Sequence, residues 1–118
     1  MPSEKVVGYI RDILFHIDLP SEFIDGLTAE QFGRDVLRIY AVTRCLEIIS
    51  EASRRLPAEI KHRYPDLAWR DMAGAGNIYR HDYDNVAAAR VWVTVQNALP
   101  PLRSAIEREL PPDDHAGT

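Results

Sequence analysis

The sequence has a single cysteine, Cys45, so no disulfide can form within the chain and a thiolate zinc site is excluded. It has no stretch approaching the roughly 20 apolar residues needed to cross a bilayer. Its first residues, Met-Pro-Ser-Glu-Lys, show no signal-peptide pattern. No membrane attachment is expected, and the reducing cytoplasm is the expected location. An excess of positive charge is also missing. The 14 Lys and Arg stand against 18 Asp and Glu, a formal net charge of −4, whereas a nonspecific nucleic-acid coat protein would be strongly basic. An enzyme that holds RNA in one local basic cleft is compatible with that balance. His16, His62 and His115 are scattered and show no ligand spacing, so neither a metal site nor a cofactor is expected. Strand alternation, internal repeats and low-complexity runs are absent.

What is present has a helical period. With 118 residues, 46% of them hydrophobic, the chain can bury a core as one domain without staples. Ser3 is placed to cap a first helix with a stripe of Val6, Ile10, Ile13, Leu14 and Ile17. Asp18-Leu19-Pro20 ends it, because the residue before a proline avoids the helical region. Thr28 and Gln31 form a capping box that opens a long helix to about Arg55, with a bend or restart near Gly33. Its expected buried face is Phe32, Val36, Ile39, Tyr40, Leu46 and Ile49, with Leu56 just beyond. A short helix follows Pro57, another spans Trp69 to Arg80, and a last long one starts at Asp84 or Asn85. Pro100-Pro101 is expected to kink or break it. The fold class expected is an all-α antiparallel helical bundle over residues 1–110, with 111–118 a flexible tail.

Two polar signals stand out. On the long helix Arg44, Glu47 and Glu51 are spaced by three and four residues and share one flank, which suits a solvated ion-pair face, a cleft wall or a dimer seam. The second is Met72 to Tyr83, where Gly74 and Gly76 precede Asn77, Arg80, His81 and Tyr83. Amide and guanidinium can grip a phosphodiester, imidazole can move protons, and a phenol can donate a hydrogen bond. The same set is also what a solvated helix terminus presents.

Taken in order, Arg44, Leu46-Glu47-Ile48-Ile49, Glu51-Ala52, Pro65, Trp69, Met72-Ala73-Gly74, Asn77, His81-x-Tyr83, Val91-Trp92 and Leu99-Pro100 resemble the HepT-like family of HEPN-domain toxins. The resemblance covers about residues 5–110. It implies a helical-bundle homodimer whose two copies form one RNA-binding cleft, and metal-independent RNA cleavage within a toxin–antitoxin system. The family signature is an arginine, a usually polar residue, a short spacer, then histidine, any residue and tyrosine. Asn77, His81 and Tyr83 match its last three fixed places. The resemblance further implies a minimal nucleotidyltransferase antitoxin that attaches AMP to Tyr83, and Tyr79 lies close enough in the sequence to be a secondary acceptor.

The chain departs from the signature at Gly76, where the family carries its arginine. A guanidinium there would hold the scissile phosphate through two hydrogen bonds. Arg80 lies four residues later, and helical side chains lean toward the N-terminus, so on a continuous helix it would project back over Gly76. The expected catalytic set is therefore His81, Arg80 and Asn77. The alternative is a non-catalytic partner or antidote of the nucleotidyltransferase.

Overall fold

The computed structural model describes residues 3–70, 72 and 85–111, and every regular element among them is helical. Helix α1, Glu4–Ile17, begins where the Ser3 hydroxyl accepts from the Val6 N–H at 3.2 Å. It buries Val7, Ile10, Ile13 and Ile17, while Val6 and Leu14, expected in the stripe, pack half-buried at its margin. A five-residue helix α2, Leu19–Phe23, follows at once, with Pro20 in its first turn where no N–H is required. Gly26, at φ +79°, reverses the chain in a conformation that a side chain would strain.

The capping box forms as expected. Gln31 N–H donates to Thr28 Oγ1 at 3.1 Å, and Thr28 N–H donates to Gln31 Oε1 at 2.9 Å. The helix it opens, α3, runs only from Ala29 to Gly33. Asp35 then caps a new helix, α4, Val36–Arg55, by accepting from the Arg38 N–H at 3.1 Å. This restart resets the helical phase. Phe32 is buried on α3, but Val36 and Tyr40 are 62% and 58% exposed, against the expected buried face. Leu46, Ile49 and Leu56 are buried as expected, and the core face of α4 also takes in Val42 and Ala52.

Helix α5, Ala58–Arg63, starts after Pro57 and stops at Tyr64. Trp69, Arg70 and Met72 are helical, as expected at that start, and the remainder of the expected Trp69–Arg80 helix lies outside the described residues. Helix α6, Asn85–Val93, leads into a π-helical turn, Thr94–Ala98, and then into α7, Leu99–Arg108. The Leu99 N–H bonds back to the Thr94 carbonyl, five residues earlier. The disruption expected at Pro100-Pro101 is thus displaced upstream into the π turn, and the prolines occupy the first turn of α7, where their missing donors are tolerated.

Helix α1 packs chiefly on α4 and also on α7, while α3 packs on α4 and α6. Ile10, Ile13, Leu46, Ile49 and Ile106 are fully buried among them. Each contributes about 1.5–3 kcal/mol of apolar burial. Arg103 on α7 clasps the Asp18 carboxylate with Nε at 2.7 Å and NH2 at 3.3 Å, fastening the end of α1 to α7. No helix among the described residues is long and apolar enough to cross a membrane.

Candidate functional site

With Val42, Leu46 and Ile49 committed to the core, the helical period places Arg44, Glu47 and Glu51 on another flank of α4. The structure brings these three together along an open groove of about 420 Å³ between α4 and α1, which Tyr9 and Asp12 line from the α1 side. Arg44 NH1 stands 3.7 Å from Glu47 Oε2, with Arg44 largely exposed and Glu47 sheltered. Tyr9, early in α1, lies beside Arg55, the last residue of α4, as antiparallel neighbours require.

Glu51 is held at the far end of the groove by Arg54 and Arg55. Arg54 NH2 donates to Oε2, and Arg55 Nε donates to Oε1 at 3.0 Å. The hydrogen bond from Arg54, then that from Arg55, lowers the Glu51 carboxyl below its usual value. Glu51 in turn raises Arg55, with a further contribution from Tyr9. The Arg55 guanidinium carbon is 6.0 Å from the Tyr9 ring centroid, at the outer reach of a cation–π contact. Arg44, Arg54 and Arg55 share the groove with Glu47 and Glu51 on the same helix and with Asp12 on α1, so its formal charges balance. Such a surface attracts a polyanion only when a guanidinium exchanges its carboxylate for a phosphate, a trade that the bidentate geometry of arginine permits.

Asn77, Arg80, His81 and Tyr83, together with Gly76 and Tyr79, lie outside the described residues. The chain leading to them is anchored. Met72 is buried and its N–H bonds to the Ala68 carbonyl at 2.9 Å, while the Trp69 indole donates to the Tyr64 carbonyl at 2.9 Å. Tyr9, Arg54 and Arg55 line the groove in addition to the expected residues. The arginines were signalled by their spacing of three and four from Glu51, the intrahelical ion-pair rule. Tyr9 had no local signal, since only packing of α1 on α4 brings it there.

The sequence profile described as ribonuclease HepT-like matches residues 13–109. A protein of Thermococcus cleftensis named "Probable ribonuclease HepT" is 36% identical over 100 residues, covering 85% of this chain and 91% of its own. Two proteins of Methanocaldococcus jannaschii, each named "Putative RNase", are 31% identical over 108 residues. Each alignment covers 92% of this chain, with 89% of one relative and 93% of the other. No solved structure gives a significant match.

Proposed function

Because the chain belongs to the ribonuclease HepT-like family, we propose that it is an RNA-cleaving toxin of a toxin–antitoxin pair, acting without a metal ion as a homodimer. The observation that carries this reading is the His81-x-Tyr83 pair, with Asn77 before it, inside the family-matched span. RNA supplies its own nucleophile, the 2′-hydroxyl. His81 takes that proton as the oxygen attacks the neighbouring phosphorus, and an imidazolium returns a proton to the departing 5′-oxygen. The products are a 2′,3′-cyclic phosphate and a 5′-hydroxyl end. Arg80 offsets the charge that grows on the phosphoryl oxygens, Asn77 orients the phosphate, and Tyr83 positions His81 or a phosphate oxygen.

The α4 flank of Arg44, Glu47 and Glu51 borders the cleft or the seam between the two copies. Two copies facing one another would gather basic side chains that one acidic chain does not concentrate. A minimal nucleotidyltransferase would silence the toxin by moving AMP from ATP to the Tyr83 phenol oxygen, with pyrophosphate leaving.

Gly76 favours a second reading. At the family's arginine position it can neither grip the phosphate nor stabilise its charge, and loss of one such contact lowers rates by about 10²–10³. On that reading the chain is a non-catalytic partner or antidote of the nucleotidyltransferase. Incubation of the purified chain with single-stranded RNA in excess chelator, beside His81→Ala, tests the first reading against the second.

A further inference from the structure

The C-terminal end of α7 carries a carboxylate where a helix least favours one. Glu109 caps α7, facing the negative pole of the helix dipole, yet its side chain is only 11% exposed. A poorly hydrated anion in that position is tolerated only when donors satisfy it. Both donors come from the end of α5. Tyr64 Oη donates to Glu109 Oε2 at 2.6 Å, and Arg63 NH1 donates to Oε1. Burial, followed by the neighbouring Glu109, raises the Tyr64 phenol above its ordinary value, so it stays a donor.

Tyr64, Leu67 and Trp69 pack partly buried against the core, and the bonds to Glu109 add a second restraint on the turn that follows. A hollow of about 300 Å³ separates residues 64–67 from α7, with Pro101, Ser104 and Arg108 on the α7 side. The side-chain bonds to Glu109 cross beside this gap. From Tyr64 the restraint passes onward, because the Tyr64 carbonyl accepts from the Trp69 indole and also from the Leu67 N–H at 3.2 Å. Trp69, Arg70 and Met72 are helical, and His81 follows in the sequence.

We propose that Glu109 is a positioning residue for the RNA-cleaving segment, fixing the 64–67 turn through Tyr64 and Arg63 and so fixing where the chain beyond Trp69 begins. The inference rests on the ribonuclease reading above. Among the described residues Glu109 engages Arg63 and Tyr64, and it acts through Tyr64 and Trp69. A displacement of about 1 Å in such a support can lower a rate by about 10²-fold without loss of the fold.

The test uses the full chain. Trp69 and Trp92 are its two tryptophans, so their indole N–H signals report the clamp and an internal control. Glu109→Ala and Tyr64→Phe are expected to speed solvent exchange of the Trp69 indole by about threefold to tenfold, as loss of one restraining hydrogen bond implies. Trp92 should stay unchanged. In the same variants kcat for RNA cleavage should fall by about 10–100-fold while KM stays within about twofold. Glu109→Gln keeps an acceptor for Tyr64 and should restore Trp69 protection and most of kcat. Unchanged Trp69 exchange in both Glu109→Ala and Tyr64→Phe would overturn the clamp. Faster exchange with an unchanged kcat would overturn its positioning role. A wild-type chain that cleaves no RNA defeats the ribonuclease reading instead, and the indole exchange then still decides whether Glu109 fixes the turn.

Discussion

Oε1 of Glu51 lies 3.0 Å from Nε and 2.9 Å from NH2 of Arg55, so one carboxylate oxygen engages that guanidinium while the other engages Arg54. These side chains are half-exposed, and exposed ion pairs contribute little to stability. The consequence is electrostatic: Glu51 occupies guanidinium donors of Arg54 and Arg55. Glu51→Gln should leave the melting temperature nearly unchanged. If the flank walls the RNA cleft, it should tighten RNA binding several-fold and steepen the slope of log K against log salt by about one. If the flank is instead the seam between copies, RNA affinity should stay level and light scattering should show a weakened dimer.

Two carboxylates give stability an acid dependence of known sign. The Arg38 backbone N–H lowers Asp35 and the Arg54 hydrogen bond lowers Glu51. A group whose folded pKa is depressed stabilises fully above its unfolded value and loses that contribution as pH falls through the folded one. Stability should therefore decline below about pH 4, the unfolded carboxylate range. The double variant Asp35→Asn, Glu51→Gln should lose less on going from pH 7 to pH 3, measured by urea midpoints. Equal losses in variant and wild type would contradict the assignment.

Phe32 fastens a helix too short to stand alone. α3 has five residues, and Phe32 is buried on it with its ring centroid 5.7 Å from that of Trp92. Phe32→Ala should lower the unfolding free energy by about 3–5 kcal/mol in chemical denaturation. A loss below about 1 kcal/mol would show that α3 is held by its caps instead.

Local chemistry and most of the helical stripes were legible in the sequence, and the phase across the α3–α4 junction was not. Ser3 and the Thr28–Gln31 box were readable because a cap needs only residues three apart. Val36 and Tyr40 were misplaced because Asp35 starts a new helix two residues after Gly33, so the face of Phe32 does not continue into α4. The two prolines signalled a disruption, but the π turn that absorbs it lies upstream at Thr94–Ala98. In the groove, Arg44, Glu47 and Glu51 were visible from spacing, whereas Tyr9 there, and Glu109 at the end of α7, depend on contacts distant in sequence.

Tyr83 should be the main AMP acceptor when a cognate nucleotidyltransferase and ATP are supplied, since it alone among the tyrosines stands in a His-x-Tyr context. Peptide mass mapping should place the added nucleotide on Tyr83, with Tyr79 a minor site. AMP found elsewhere with Tyr83 bare would refute the assignment.

The central claim is that Arg80 and His81 cleave RNA despite Gly76. The direct measurement is cleavage of single-stranded RNA, in excess chelator, by the wild-type chain, His81→Ala, Arg80→Ala and Gly76→Arg, each checked for helical content. The account predicts cleavage by wild type that ends in a 2′,3′-cyclic phosphate, loss of most activity in His81→Ala and Arg80→Ala, and no gain in Gly76→Arg. A wild-type chain that leaves RNA intact, with activity gained only in Gly76→Arg, would contradict it.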